Sequence, residues 1–311
     1  MLIGFQIDSI ETLNLLTDSS ITLIYESQLR KNRNFIYQPN TLTFKNNSVY
    51  AHGQEIIFKS KKFNSYQLSN FKEINLSKFD IIFIRQDPPF NMEYISSMYL
   101  LELLASKVRF INSPAGIRNA PEKILMLKFS KLIPPTIITR SFDEIKKFMK
   151  KYGKAVIKPI YGNGGEGIFF LEDNDKNFNQ IIEGFMSKNS EPFIVQKFLP
   201  EIKKGDKRII LIDGEPVAAV RRVPKKNEIR SNIHVGGKVE SIKLNKRDLD
   251  ICNKIKKTLQ KNNLFFVGID VIGNYLTEIN VTSPTCIQEI KKISKIDVAK
   301  IIWDKIKYKK F

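Results

Sequence analysis

Along the first third of the chain, short apolar runs alternate with stretches of helical spacing, the pattern of strands interleaved with helices. The apolar start over 2–8 has no basic segment before it and is broken by Asp8, so it reads as a first strand and not a signal peptide. Asp18 or Ser19 can cap a helix running through Leu23 to Leu29. Between Tyr37 and Lys59, β-like runs alternate with turn residues such as Asn46-Asn47 and His52-Gly53. Ile81-Ile82-Phe83-Ile84 is a continuous apolar run of the buried-strand type, stopped by Pro88-Pro89. Ile95, Met98, Leu101 and Leu104 then recur at helical spacing before a strand-like run over 108–111. The alternation predicts an open α/β domain over about residues 1–118.

Further on, the pattern predicts a helix over 122–132 ended by Pro134-Pro135, and a helix through Tyr152 started by a Ser141/Glu144 capping box. A strand over 155–158, a glycine-rich turn over 162–167 and a strand over 168–171 follow. A helix over 178–186 and a strand over 193–196 come next, then strands over 208–212 and 216–220. A polar loop over 224–240, a helix around 247–261, strands over 265–271 and 275–281 and a last helix over about 287–307 complete the reading.

Composition narrows the class. At 311 residues the chain suggests about two domains, and 42% hydrophobic with 27% charged residues fits a globular chain that needs no disulfide staples. No apolar run approaches the roughly 18 residues of a membrane span, so no membrane partner is expected. The two cysteines cannot form a disulfide framework and suit a reducing cytoplasm; Cys252 shares a helical stripe with Leu249, Ile255 and Leu259 and reads as core. Two distant histidines, His52 and His234, argue against zinc and serine–histidine chemistry. The net charge of +19 suggests nucleic acid at first, but 40 of the 51 basic residues are lysines scattered along the chain. Together with the abundance of Ile, Asn and Phe, this reads as the surface default of an AT-rich coding sequence, and no nucleic-acid partner is expected.

Two constellations carry chemistry. In Lys158-Pro159-Ile160-Tyr161-Gly162-Asn163-Gly164-Gly165-Glu166-Gly167, the glycines would let backbone N–H groups approach phosphate oxygens, with Lys158 as a point charge. The spacing is not that of a P-loop, and a flexible hairpin connection is the plain alternative. The second is sharper. Asp270 lies on one strand, and after Gly273-Asn274 the next strand carries Glu278 and Asn280, two apart and so on one face. Two carboxylates and an amide on a buried face need a cation, and all-oxygen donors suit Mg²⁺. A solvated polar face on an edge strand is the alternative.

These residues resemble the ATP-grasp ligases, and longer strings resemble the bacterial glutathione synthetase branch: Arg85-Gln86-Asp87-Pro88-Pro89-Phe90, Gly205-Asp206-Lys207-Arg208, Asp213-Gly214-Glu215-Pro216-Val217 and Leu276-Thr277-Glu278-Ile279-Asn280-Val281-Thr282-Ser283-Pro284-Thr285-Cys286. The resemblance covers essentially the whole chain. It implies an α/β fold with an N-terminal pre-ATP-grasp substrate domain over 1–118. A small nucleotide-binding lobe over 119–200 and a C-terminal catalytic lobe over 201–311 would form a two-lobed α+β ATP-grasp region. It implies ATP-dependent ligation of γ-glutamylcysteine and glycine through an acyl phosphate, with Mg²⁺ (Mn²⁺ possible) and a homotetramer.

By the same resemblance Lys123, Lys158, Gly162, Gly164, Gly165, Gln196, Lys197, Leu199 and Asp206 would meet the nucleotide, and Asp270, Glu278 and Asn280 the metal. Arg208 and Arg222, with Arg221 an extra charge beside it, would hold substrate carboxylates or the developing acyl phosphate. Arg85, Arg230, Asn232, Val281, Thr282 and Ser283 would serve the substrates, Arg230 and Asn232 from a loop over the phosphates. Glu166 inside the glycine segment adds a negative charge near them. The nearest rival is a sister ligase joining a different amino acid or peptide; the other is a basic nucleic-acid binder on the same fold.

Overall fold

The computed structural model describes residues 1–60, 65–162, 164–188, 190–225 and 237–308. Its first sheet has eight strands: β1 (Leu2–Gln6), β2 (Arg33–Tyr37), β3 (Thr43–Lys45), β4 (Ser48–Phe58), β5 (Tyr66–Leu68), β6 (Lys72–Asn75), β7 (Ile81–Ile84) and β8 (Arg109–Ile111). β1 lies between β2 and β7, parallel to both, and β7 is parallel to β8. All four residues of β7 are buried because both faces of the sheet are covered, which is why its sequence is an unbroken apolar run. Ile3, Phe5, Ile81 and Phe83 turn to α1 (Ser19–Leu29), whose N-cap is Asp18. Ile82 and Ile84 turn to α2 (Met92–Glu102) on the other side. A short α3 (Pro114–Arg118) leads out of the sheet.

A second, four-stranded antiparallel sheet comprises β9 (Thr136–Thr139), β10 (Lys154–Pro159), β11 (Phe169–Glu172) and β12 (Phe193–Lys197), in the order β11-β10-β12-β9. With α4 (Phe142–Tyr152) and α5 (Phe178–Lys188) it has its own core, including Ile145, Met149, Ile182 and Phe193. The third sheet is antiparallel: β13 (Asp206–Ile212), β14 (Glu215–Val223), β15 (Lys238–Ser241), β16 (Phe266–Ile272) and β17 (Tyr275–Asn280), ordered β15-β14-β13-β16-β17. One of its faces packs on α6 (Lys246–Lys261) through Ile251, Cys252, Ile255 and Leu259. Its other face joins α7 (Ile287–Ser294) and α8 (Val298–Tyr308). Each of these two cores is continuous with one face of the N-terminal sheet. Trp303 of α8 is the clearest link: its ring lies 5.2 Å from that of Phe83, and its Nε1–H donates to Leu23 O at 3.0 Å.

Several expectations are corrected. Residues 122–132 are not an α-helix; they hold only a 3₁₀ segment, Leu125–Phe129. The carbonyls of Glu122 and Leu132 accept from Ile279 and Leu276 N–H of the edge strand β17, at 3.0 and 2.9 Å. Long-range pairing has replaced the helical ladder there. His52-Gly53 is not a turn, because β4 runs straight through it. A Cβ on Gly53 would sit 2.2 Å from Ile36 O, so this glycine marks a close approach of backbones. The last helix is broken into α7 and α8 by Lys295, at φ 60. Leu249 is 43% exposed and leaves the stripe, while Cys252 stays in the core. The loop over 224–240 ends in β15; its residues 226–236, Arg230 and Asn232 included, lie outside the described residues. Strand β9 had not been anticipated at all.

Candidate active site

Two neighbouring cavities lie among the second sheet, the third sheet and the carboxyl ends of β1 and β7. The first is lined on the small-lobe side by Val156, Lys158, Gln196, Lys197, Phe198 and Leu199. Val156 and Lys158 share a face of β10 because they are two apart, while Ala155 and Ile157 point into the core behind. Lys158 is buried, and its Nζ donates to Gln196 Oε1 at 3.2 Å; the Gln196 amide in turn donates to Thr136 Oγ1 at 2.8 Å. Burial, with Lys123 adding its own charge, pushes the Lys158 pKa down, so this ammonium is short of negative charge. Gly165 and Glu166 wall the same cavity, and Gly164 and Gly165 adopt φ of 60 and 81, which glycine takes without strain. Lys123 Nζ donates to Gly162 O and stands 3.8 Å from Glu278 Oε1.

The floor is a buried charge cluster on adjacent strands. Register pairs Asp206 with Arg222 across β13 and β14, Arg208 with Asp270 across β13 and β16, and Asp270 with Glu278 across β16 and β17. Arg208 donates to both Asp270 oxygens, at 2.5 and 3.0 Å. Arg222 donates to both oxygens of Asp206 and reaches Asp270 Oδ2 at 2.9 Å. Arg222, not Arg221, is therefore the inward member of the pair. Burial alone would raise the Asp270 pKa, but the two guanidiniums outweigh it and hold the carboxyl well below its usual range. Glu278 lacks such partners: burial drives its pKa up, and the charges of Asp270 and Glu122 add to that against the pull of Lys123 and Lys158. Asn280 lies two residues on along β17, its amide donating to Gly268 O at 3.4 Å.

The second cavity is lined by Arg208, Arg222, Asn280, Thr282 and Ser283, with Gly164 and Pro88 among its walls. Glu278 lines both cavities. Sequence reasoning had given no site role to Asp18, Asp87, Glu122 and Glu289, which line the second with Thr285, or to Ile168, Ile202, Ile272 and Thr277, which line the first. Glu122 was legible only as the neighbour of Lys123. Its Oε1 accepts from Val281 N, Thr282 N and Thr282 Oγ1, at 3.0, 3.2 and 2.7 Å, and so fixes the segment after β17. Ser283 Oγ donates to Arg85 O. Arg85 lines neither cavity: it is buried over the Phe266 ring, donating to Ser20 Oγ and Pro284 O. Seven of the nine residues expected at the nucleotide line the first cavity; Gly162 reaches it through Lys123, and Gly164 faces the second.

The donors at Asp270, Glu278 and Asn280 are all oxygens, as a hard dication requires, and the poorly neutralised Glu278 carboxylate fits one. Among the described residues no three His, Cys, Asp or Glu side chains cluster as a metal site, and the candidate set counts the Asn280 amide as its third donor. Overall, the geometry offers a lysine-lined cleft joined, through one carboxylate, to a cavity floored by arginines.

Comparison with known proteins agrees with this geometry. The family model described as prokaryotic glutathione synthetase, N-terminal domain, matches residues 1–118, and that described as prokaryotic glutathione synthetase, ATP-grasp domain, matches 122–295. A glutathione synthetase of Agrobacterium fabrum is 43% identical over 99% of this chain and 97% of its own. One of Synechocystis is 40% identical over 95% and 96%. Among solved structures, the D-cycloserine synthetase DcsG superposes with a TM-score of 0.69 at 9% identity, covering 98% of this chain and 99% of its own. The ATP-grasp ligase PsnB, complexed with a minimal precursor, gives 0.64 at 14%, covering 97% of each chain. At such identities these two establish the ATP-grasp fold alone.

Proposed function

Since this chain belongs to the prokaryotic glutathione synthetase family, we propose that it is an ATP-dependent ligase joining γ-glutamylcysteine to glycine. The observation that carries the reading is Glu278, which opens on both cavities. A nucleotide in the first cavity and a substrate carboxylate in the second would meet at that carboxylate. An oxygen of the substrate carboxylate, not of Glu278, attacks the γ-phosphorus of ATP, the bond from that phosphorus to the bridging oxygen breaks, and ADP leaves. The glycine amine then adds to the acyl carbon, the bond to the phosphate oxygen breaks, and the amine gives up a proton as the amide forms.

Phosphoryl transfer asks for positioning and charge neutralisation more than for a protein nucleophile. Lys123 and Lys158 face the phosphate side, where the latter's unmet charge favours an anion. Arg208 and Arg222 keep free N–H groups, since each guanidinium has five donors and the bonds to Asp206 and Asp270 use only part of them. They would hold the substrate carboxylate through the transfer. Asp270, Glu278 and Asn280 would hold Mg²⁺, or Mn²⁺, with Asp270 shared between metal and arginines. A bound dication would supply neutralisation of the phosphate oxygens. Val281, Thr282 and Ser283 would shape the acceptor side, with Glu122 fixing the first two. A cytoplasmic setting accords with two buried free cysteines, Cys252 and Cys286, and a homotetramer is suggested by the family resemblance.

The test is phosphate release from ATP with γ-glutamylcysteine, with and without glycine, alongside the mass of the product. Release should need all three together with Mg²⁺ and give the tripeptide. Equal turnover with an unrelated acceptor amine would assign the chain to a different ligase specificity.

A further inference from the structure

The buried cluster between the two cavities is sorted by charge. Asp206 and Asp270 line the first cavity and neither arginine does, whereas Arg208 and Arg222 line the second and neither aspartate does. Register sets this up, since each acid faces its arginine across a strand pair: Asp206 opposite Arg222, and Asp270 opposite Arg208. Asp206 and Arg208 are two apart on β13, so both pairs stand on one face of the sheet. All four side chains are buried. Arg222 also reaches past Asp206 to Asp270 Oδ2 at 2.9 Å, which joins the pairs into one network. The first cavity thus presents carboxylates already engaged by guanidiniums, and the second presents guanidiniums already engaged by carboxylates. Nη1 of each arginine takes no part in these bonds, so each keeps donors for a ligand.

We propose that this network, with Asp206 as its positioning residue, couples the two cavities, so that a divalent cation in the first and a carboxylate in the second strengthen each other's binding. The inference rests on the ligase reading above. An oxygen of Asp270 that turns to a cation loosens its hold on Arg208 and Arg222, and their N–H groups then bind a substrate carboxylate more strongly. A carboxylate on the arginines does the reverse, drawing them off Asp270 and leaving its charge to the cation. Asp206 sets how far Arg222 leans on Asp270, because it is the other acceptor of the same guanidinium. The effect is equal in both directions, and couplings of this kind amount to about 5- to 150-fold in affinity. Salt screens such buried groups much less than it screens surface pairs.

The experiment titrates Mn²⁺ in the presence of ADP, with and without γ-glutamylcysteine, and reads bound Mn²⁺ by its effect on water proton relaxation. Calorimetry separately measures whether the dipeptide binds. Wild type should bind Mn²⁺ about 5- to 150-fold more tightly with the dipeptide than without it. Arg222→Gln frees Asp270 from one guanidinium, so without dipeptide it should bind Mn²⁺ more tightly than wild type does, and the dipeptide should then add less. Asp206→Asn leaves Arg222 to Asp270 alone and should bind Mn²⁺ more weakly. A structural defect would weaken Mn²⁺ binding in both variants, so the opposite signs mark the coupling. Equal Mn²⁺ affinity in wild type with and without bound dipeptide would overturn the proposal, and that comparison needs no variant to fold. An undiminished dipeptide effect in Arg222→Gln would overturn it too, by placing the coupling in direct contact between cation and dipeptide. If wild type binds no dipeptide, it is the ligase reading that fails, and the opposite shifts of the two variants decide the role of the network by themselves.

Discussion

Glu278 is the residue on which most of the site converges, half-buried beside Lys123 and paired in register with Asp270. Glu278→Gln keeps its size and much of its hydrogen bonding but removes the charge that would hold the metal against phosphate. Steady-state assays should show kcat lowered by on the order of 10²–10³, the scale of losing one charge-stabilising group. Near-normal turnover at ordinary Mg²⁺ would show that this strand face is not the metal site. The face itself was legible in the sequence, because residues 278 and 280 are two apart and Gly273-Asn274 folds Asp270 back over them. What the sequence did not disclose is that Asp270 is also shared by Arg208 and Arg222. Those contacts depend on which strands of the third sheet are neighbours, and no local pattern encodes that. Glu122 escaped notice for the same reason, since the N–H groups that it accepts from lie some 160 residues away.

At the scale of elements, short-range signals read well and long-range pairing read poorly. The apolar run of β7 and the spacing of α2 depend on local patterning, and both were found where expected. The segment over 122–132 has helical spacing yet lies along β17, because its carbonyls complete a sheet edge. Gly53 looked like a turn residue and is instead a strand position squeezed against β2. Gly53→Ala should therefore destabilise the fold by about 1–3 kcal/mol or more, the usual cost of overpacking against atoms that cannot yield. Helix α6 offers a second test. Asp248 accepts from Asn245 N–H in a reciprocal capping box and pairs with Lys207 in a fully buried position. Asp248→Ala leaves the ammonium of Lys207 unpaired, and should cost about 3–5 kcal/mol. For both variants the check is a lower urea midpoint with an unchanged slope.

For the whole molecule, the charge of +19 is the feature most open to misreading. A duplex binder making several phosphate contacts loses about 10³–10⁵ in affinity between roughly 50 and 200 mM salt. Here tripeptide synthesis should vary little over that range, and any retention of duplex DNA should be weak and vanish at the upper end. Partly buried charges such as those of the cleft are screened much less than exposed ones. Sequence-selective, submicromolar DNA binding that survived the higher salt would refute this and make the lysines a binding surface. The packing of Trp303 against Phe83 and Leu23 bears on something else, the order in which the protein takes shape on the ribosome. β8 completes the N-terminal sheet at Ile111, yet α8, which shares with α1 the covering of one face, arrives about 190 residues later, roughly ten to forty seconds at ordinary elongation rates. Through that interval α1 alone shields this face, and the apolar surface that Trp303 later covers at Phe83 stays open, which makes the nascent chain a natural client for a holding chaperone.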